Sequence, residues 1–485
     1  MVFTGRIISA FTGLLFTLMV ARWLTVPGFG NWEVIVTLVT FSSYPVGAVA
    51  YWATRDVARG KLVGRTAFLG GALLSTLGLL MYLVFTFVTY STLASNILPF
   101  LLGAFLVPLS YWSAVANSIL QGFRPGVYGY SLVTSELAKL GVAYEALYVF
   151  RAGIEGVIVA LMAAYLVQSI VSTYFVRLTA AERFDVAQTR KWSRLAWIPA
   201  ISYLPTVLAV ADSYVAALGF GYAIVGYYQV AFIVASVIGY SSAFSFSLYP
   251  LLLRGGDQSL PSQSIDVALL FSIPLAVGGI VMASPILTLM GGGSKYLPGV
   301  TGLTILSAMF VFTALSTTVD QTLLGTEKVD IGERPKFWDL VRSNLLYVPV
   351  MNILYGAVYL TSLFFALSYA SKSGVSSSSM VAVWATVQLI ATIAFLLVKT
   401  RRATRYAKLA PGFSAVYYLI AGSVMAAVLY LLSGFVGNQA AGTLTFGLRL
   451  VAVGLIGLAV YGGILYAADP RFRDMTRTLL RRVTL

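Results

Sequence analysis

Charged side chains inside apolar segments are the residues of this chain most able to do chemistry. Glu136 and Lys139 stand three positions apart in one such segment, so on a helix they share a face and can neutralise each other. An internal ion pair is the simplest interpretation; in the alternative, the pair opens when an anion competes for Lys139. Asp320, in another segment, is the remaining acid that could bind Na⁺ or a proton.

The composition excludes an ordinary soluble domain and most enzymatic chemistry. Of 485 residues, 59% are hydrophobic and 10% are charged, against roughly 45–50% and about 25% in soluble domains. The chain has no Cys and no His, which removes disulfides, thiolate nucleophiles and the commonest acid-base and metal-binding side chain. We therefore expect a membrane protein that is not an enzyme and that has no metal or cofactor.

The elements that position these charges are apolar runs long enough to cross a hydrocarbon core of about 30 Å. We count about fourteen such runs, at residues 7–24, 32–53, 67–89, 98–120, 128–149, 154–175, 195–218, 224–253, 267–290, 300–324, 345–369, 380–398, 413–434 and 444–468. The prediction is an all-α polytopic membrane protein. It has two six-helix bundles, residues 1–194 and 195–411, followed by helices 13 and 14 and a basic tail in residues 412–485.

The first run is longer than a signal peptide and continues through Arg22 into a further span, so we expect it to be retained.

Basic residues alternate between the loops. They cluster after spans two, six, ten and twelve and at the end of the chain, for example as Arg190, Lys191 and Arg194 after span six. About 26 of the 32 Lys and Arg residues lie on that face, which the positive-inside rule makes cytoplasmic, with both termini on the same side. The net charge of +15 is therefore mainly the topology signal of a cell membrane protein. Attraction to anionic membrane lipids is compatible with it, and nucleic acid is not expected as a partner.

Three further charges stand at the predicted outer ends of the helices. Arg22 and Asp212 occupy matching positions at the ends of spans one and seven, and Glu33 is nearby in span two. This cluster could close an outer gate in one state and part in the other, as alternating access requires. Packing at wet helix ends is the alternative.

The two halves of the chain open with similar hairpins. Residues 21–24 (ARWL) precede residues 28–32 (GFGNW), as residues 211–214 (ADSY) precede residues 219–221 (GFG) and 226–228 (GYY). Because spans one and seven both run outward, such a repeat implies a pseudo-twofold axis along the membrane normal. Chance similarity among glycine-rich turns is the alternative.

These segments resemble the multidrug/oligosaccharidyl-lipid/polysaccharide (MOP) exporter superfamily and, within it, the polysaccharide-unit flippases. Residues 21–30 look like the family's aRyLgpeefG turn. Asp212 with residues 226–231 (GYYQVA) and 248–250 (LYP) is similar to the family's D…vGxYxxA…fP pattern, and residues 293–296 (GSKY) look like its outer turn after the ninth span. The matches lie in the right order over most of the chain.

The resemblance implies a flippase that moves a polyprenyl-(di)phosphate-linked oligosaccharide from the cytoplasmic to the outer leaflet by alternating access. Fourteen spans resemble the peptidoglycan-precursor flippase branch, in which the added pair supports a groove for the lipid tail, although some polysaccharide-unit exporters are also longer than twelve spans. Packing as in the family would bring together Arg6, Arg55 and Arg254, at the inner ends of spans one, two and eight. With Lys139 they would bind the phosphate of the substrate. For each arginine, snorkelling to the interface is the alternative.

Two other functions are weighed against this one. A cation-coupled multidrug or small-molecule exporter of the same superfamily would have Na⁺ or H⁺ as a partner. That branch usually has twelve spans and an acidic residue in the cavity. Here the charge of Glu136 can be neutralised by Lys139, and span one has no acidic residue. An integral-membrane glycosyltransferase or polymerase would need paired acids or a metal-binding DxD motif on a substantial loop, and the sequence has neither.

Overall fold

Helices make up the regular structure of the chain. The computed structural model describes residues 2–93, 96–177, 183–253, 257, 259–327, 337–409, 412, 414–437 and 442–474. Within these ranges, every regular element is helical. The residues group into two compact units, Met1–Gln229 (unit 1) and Val230–Leu485 (unit 2). The predicted all-α class is therefore confirmed.

Unit 1 is built from the first eleven helices, the last of which continues into unit 2. They are α1 (Val2–Trp23), α2 (Val26–Ser43), α3 (Gly47–Ala58), α4 (Gly64–Leu93), α5 (Ile97–Ala104), α6 (Leu106–Phe123), α7 (Pro125–Tyr144), α8 (Gly153–Val176), α9 (Val186–Arg194), α10 (Trp197–Phe220) and α11 (Tyr222–Ser236). A 3₁₀ turn joins α2 to α3 at Tyr44–Val46, and a π-helical turn, Glu145–Val149, follows α7.

Polar caps and a glycine set several helix ends in unit 1. Thr25 accepts a hydrogen bond from the Gly28 amide at 3.1 Å where α2 begins, and Asp185 accepts one from the Gln188 amide at 3.0 Å where α9 begins. Gly221, with φ 85°, ends α10 in a left-handed conformation that favours glycine. Such caps satisfy backbone groups that have no partner inside the helix.

Pro45 divides the second span into α2 and α3, although Val26–Ala58 as a whole is long and apolar enough to cross a membrane. Proline has no N–H to donate, so the helical ladder is interrupted at the turn. The Ser42 carbonyl there accepts a hydrogen bond from the Tyr111 hydroxyl of α6 at 2.8 Å. A side chain thus satisfies a backbone group that water would otherwise have to reach, which is how membrane helices tolerate a break.

The first turns of α2 and α11 meet through two glycines. A Cβ on Gly30 would clash with the Tyr222 carbonyl, and a Cβ on Gly226 would clash with the Val26 carbonyl. The contacts are reciprocal, because Val26 and Gly30 have the same spacing in α2 as Tyr222 and Gly226 have in α11. Of the two glycine segments in the second hairpin, residues 226–228 therefore provide the glycine that pairs with Gly30.

Unit 2 contains the remaining helices. They are α12 (Leu248–Leu253), α13 (Leu260–Val281), α14 (Ala283–Gly291), α15 (Val300–Gly325), α16 (Phe337–Arg342), α17 (Asn344–Lys372), α18 (Ser377–Ala403), α19 (Ser414–Val436) and α20 (Thr443–Ala468). The 3₁₀ stretches Val237–Ser247 and Ser294–Gly299 precede α12 and α15. The centre of unit 2 is α15, which packs against α13, α17 and α18.

The last two helices, α19 and α20, pack on each other and on α13. The Tyr461 hydroxyl of α20 donates to the Leu270 carbonyl of α13 at 3.1 Å. Asp266 of α13 accepts a hydrogen bond from the Gly412 amide at 2.7 Å and lies 3.6 Å from the guanidinium of Arg471, after α20. The described part of the predicted C-terminal segment is therefore integrated into unit 2.

The compact units differ from the predicted boundary at residue 194. The helix α10 belongs to unit 1, because it packs against α2 and α3 there. The assignment of residues 1–194 and 195–411 to two six-helix bundles stays a prediction.

Twelve helical segments of the described residues are long and apolar enough to cross a membrane. The helices α1 and α7 lie at the two other predicted positions, spans one and five. The charged residues Glu136 and Lys139 lower the apolar character of α7. The chain is a multi-pass membrane protein.

The reciprocal glycine contact predicts a loss of stability on substitution. Gly30→Ala or Gly226→Ala places a methyl group against a backbone carbonyl that cannot move without shifting a helix, and such overpacking costs about 1–3 kcal/mol. We expect a lower midpoint of thermal unfolding in detergent for both variants. The control is Gly219→Ala, where a Cβ meets nothing within 4 Å; an equal loss in the control would contradict the close contact.

Candidate functional site

Unit 1 contains a cavity of about 790 Å³. The helices α2, α3, α6, α7, α8 and α10 form its wall, together with the turn at Tyr44–Val46. The polar side chains that line it are the tyrosines Tyr44, Tyr51, Tyr128, Tyr165 and Tyr203, the alcohols Thr40, Ser43, Thr54, Ser110, Ser113, Ser118 and Thr206, the amides Asn117, Gln121 and Gln168, and Arg55. Hydroxyls, amides and aromatic rings of this kind can hydrogen-bond and stack against a polyhydroxylated molecule.

A chain of hydrogen bonds between α6 and α8 fixes part of this polar wall. Ser172 donates to the Asn117 amide oxygen at 2.8 Å, Asn117 donates to the Ser113 hydroxyl at 3.1 Å, and Ser113 donates to the Gln168 amide oxygen at 2.9 Å. Because the amide oxygen of Gln168 is an acceptor in this chain, its NH₂ group is left to donate to other partners. The cavity is therefore polar and ordered on this side.

Arg55 is the charged group of the cavity. It lies in the last turn of α3, and its guanidinium carbon is 4.7 Å from the centre of the Tyr51 ring and 6.0 Å from that of the Trp52 ring. None of the described residues that line the cavity is acidic. Stacked on aromatic rings and without a carboxylate partner among the described residues, the guanidinium can bind two oxygens of an anion.

The acidic neighbour of Arg55 in the sequence is occupied elsewhere. Asp56 is buried. Its Oδ2 accepts hydrogen bonds from the side-chain amide of Gln188 at 2.5 Å and from the Trp192 indole at 2.9 Å. Its Oδ1 lies 3.4 Å from the Lys61 ammonium. Asp56 therefore joins α3 to α9 and does not neutralise the cavity.

Of the other predicted phosphate ligands, the structure describes the side chain of Lys139 only. Arg6 belongs to α1, but its side chain lies outside the described part of the structure, and Arg254 lies outside the described residues. Lys139 does not line the cavity; its ammonium is 2.7 Å from Glu136 and 5.1 Å from the centre of the Phe16 ring. The convergence of the three arginines and the binding of the phosphate by Lys139 stay predictions.

The predicted ion pair in α7 is present. The Glu136 carboxylate contacts Lys139 and also accepts hydrogen bonds from Thr12 at 2.9 Å and Ser9 at 3.2 Å, both in α1. Paired and hydrogen-bonded in this way, the two charges avoid most of the cost of lying among apolar helices. The pair also attaches α7 to α1.

The three residues of the predicted outer gate lie in unit 1. Asp212 is buried in α10, and its Oδ1 accepts a hydrogen bond from the Ser213 amide at 2.7 Å. The Ser213 hydroxyl accepts one from Gln229 of α11. Arg22 lies in the last turn of α1, and Glu33 is half-buried in α2. The gate itself stays a prediction.

Unit 2 contains a smaller polar cavity, of about 190 Å³, around Asp320. The Lys399 ammonium is 3.0 Å from Asp320 Oδ2, and it donates to Asn352 Oδ1 at 2.8 Å and to Ser316 Oγ at 3.0 Å. Each of its three protons thus has an acceptor. Asp320 Oδ1 is buried without a hydrogen-bond partner among the described residues.

Sequence reasoning missed Lys399, which it counted as a basic residue of the cytoplasmic face. Its side chain is only 4% exposed. A signal was available in α18, where Gln388, Thr392 and Lys399 recur at helical spacing, and all three are buried. A polar stripe on one face of a membrane helix indicates a buried polar contact. The contacts of Asp56 with Gln188 and Trp192, here called the Asp56 clamp, were also missed, because these partners are far along the chain.

No protein-family model matches the sequence, and no curated protein sequence matches it. Solved structures do share its fold. A structure described as "Lipid II flippase MurJ, inward closed conformation" has a TM-score of 0.67 and 13% identity, over 98% of this chain and 99% of that one. An inward-facing multidrug resistance MATE family transporter of the MOP superfamily has a TM-score of 0.59 and 11% identity, over 82% and 95%. A MATE protein in the straight conformation has a TM-score of 0.54 and 12% identity, over 83% and 94%.

The chain therefore has the fold of the MOP exporter superfamily, as the sequence resemblance predicts. The first two of these structures are of a lipid flippase and of a multidrug transporter, and neither is of an enzyme. The particular branch of the superfamily stays a prediction.

The buried pair in unit 2 predicts a large effect of removing one partner. Lys399→Met leaves the Asp320 charge buried without its cation, which costs about 3–5 kcal/mol. We expect a clear fall in the midpoint of thermal unfolding in detergent, and recovery of most of it in the double variant Asp320→Asn/Lys399→Met. Lys408→Met, at an exposed position on the same face, should change stability by less than about 0.5 kcal/mol. Equal losses for Lys399→Met and Lys408→Met would contradict the pairing.

Proposed function

We propose that the protein is a flippase that moves a saccharide linked to a polyprenyl phosphate or diphosphate from the cytoplasmic to the outer leaflet by alternating access. The observation that carries this proposal is the cavity of unit 1, which combines a polar, aromatic wall with Arg55 and has no acid among its described lining residues. The fold, shared with a lipid II flippase, supports the same proposal.

The lining matches the headgroup of such a substrate. Sugars offer hydroxyl groups that hydrogen-bond with Ser, Thr, Asn and Gln side chains, and apolar ring faces that stack on tyrosine. A phosphate next to the sugar would accept hydrogen bonds from the guanidinium of Arg55. A cavity with these groups replaces the water that the headgroup loses in crossing hydrocarbon, while the isoprenoid tail needs no such replacement.

The charge of the cavity favours this substrate over a cationic drug. An organic cation would meet Arg55 with no described carboxylate in the lining to hold it. Repulsion between its charge and that of Arg55 disfavours such a ligand. The alternative, a cation-coupled multidrug exporter, shares the fold but gains no support from this lining.

Energy coupling and gating are assigned to residues outside the cavity. Asp320 is the proposed coupling group for Na⁺ or a proton, because its Oδ1 is buried without a hydrogen-bond partner among the described residues, although Lys399 already neutralises its charge. Arg22, Glu33 and Asp212 are the proposed outer gate. The pair Glu136–Lys139 is proposed to open when the anion of the substrate competes for Lys139.

The proposal predicts that Arg55 is needed for lipid movement. Proteoliposomes with a fluorescent polyprenyl-diphosphate oligosaccharide report movement between leaflets through a membrane-impermeant quencher. A hydrogen bond to a charged group contributes about 1.5–3 kcal/mol, so Arg55→Ala should weaken substrate binding by about tenfold to a hundredfold and slow flipping at low substrate concentration. Arg55→Lys should retain part of the activity, since it keeps the charge but loses the bidentate geometry.

The matched control is Arg59→Ala. Arg59 is exposed one turn beyond Arg55, at the end of the same helix, and does not line the cavity, so wild-type flipping is expected. If wild-type protein moves no lipid but a cation gradient drives efflux of a cationic dye, the exporter alternative replaces the flippase. Equal loss in Arg55→Ala and Arg59→Ala would remove Arg55 from the substrate site.

A further inference from the structure

A short helix after the sixth span has a basic surface that the cavity does not use. The nine-residue helix α9 exposes Arg190, Lys191 and Arg194. These three side chains, with Val186, Ala187 and Leu195, line an open groove of about 630 Å³. None of these lining residues is acidic. Asp185, at the start of the helix, caps the Gln188 amide.

The opposite face of α9 is held in place by buried hydrogen bonds. Gln188 and Trp192, one turn apart, both donate to the Asp56 carboxylate of α3. The Asp185 amide donates to the Thr66 hydroxyl of α4 at 2.9 Å. The three basic side chains therefore extend from a fixed support, so a ligand that binds them does not have to order the helix first.

Exposed apolar side chains lie in the groove and next to α9 in the sequence. Val186, in the groove, is 69% exposed. Phe184 and Trp197, just before and after α9, are 42% and 53% exposed. Cations beside exposed apolar and indole side chains are typical of helices that lie in the interface of a membrane, with the cations at the headgroups and the apolar groups at the acyl boundary. The positive-inside rule places this loop on the cytoplasmic side.

We propose that α9 is a binding site for the headgroups of anionic phospholipids in the cytoplasmic leaflet. The two guanidinium groups and the ammonium complement a lipid phosphate, and the flanking apolar side chains fit the start of the acyl chains. A free phosphate would use the cations but not the apolar side chains. The proposal rests on the membrane location of the chain and not on the proposed flippase activity.

The test compares the full chain in nanodiscs of phosphatidylcholine with and without phosphatidylglycerol. Phosphatidylglycerol should raise the midpoint of thermal unfolding of the wild-type protein by several degrees, because a ligand that binds the folded state stabilises it. Arg190→Gln/Lys191→Gln/Arg194→Gln should lose at least half of this increase. The control, Arg401→Gln/Arg405→Gln/Lys408→Gln, removes three exposed basic residues elsewhere on the same face and should keep the increase.

A further variant tests whether the hydrogen bonds between Asp56 and α9 are needed for lipid binding. Asp56→Asn removes a negative charge near α9, so nonspecific attraction to anionic lipid would strengthen. If the clamp presents the basic groove, the effect of phosphatidylglycerol should weaken instead, although all three cations remain.

Three results would overturn the proposal. The first is an unchanged lipid effect in the α9 triple variant, and the second is an equal loss in the control. The third is the same stabilisation from soluble glycerol phosphate added to phosphatidylcholine nanodiscs, which would indicate a site for free phosphate.

Discussion

The high cost of an unpaired charge or polar group away from water is the constraint on which this structure depends. In hydrocarbon, backbone groups must be satisfied within the protein, which accounts for the helical architecture and for the tyrosine that satisfies the Ser42 carbonyl beside Pro45. The same cost explains why Glu136 lies against Lys139 and Asp320 against Lys399. Arg55 has no carboxylate partner among the described residues, but its side chain is exposed, so its charge does not bear this cost.

Arg55 gives the cavity of unit 1 its positive charge. Asp56, next to Arg55 in the sequence, is buried against Gln188 and Trp192, so its charge is used to hold α9 and not to neutralise the cavity. The hydrogen-bonded wall between α6 and α8 supplies neutral polar groups. A cavity with one cation and many neutral hydrogen-bonding groups suits a ligand with a phosphate at one end and hydroxyls along the rest.

Composition and hydropathy predict the fold class, because apolar runs and alternating Lys and Arg are properties of single segments. The ion pair of Glu136 with Lys139 is predictable for the same reason, since both residues lie on one helix. Lys399 and Asp56 were not found, because their partners stand on other helices and only packing brings them together. The sequence offers two glycine segments as partners of Gly30, and only packing shows that Gly226 is the one in contact.

Equilibrium binding to the purified protein tests the central claim most directly. The ligands are a water-soluble, short-chain polyprenyl-diphosphate saccharide and the same saccharide with a neutral linker in place of the diphosphate. The account predicts that the charged ligand binds more tightly, that salt weakens its binding, and that Arg55→Ala removes the difference between the two ligands. Equal binding of both ligands to the wild-type protein, or tighter binding of a cationic amphipathic dye, would contradict it.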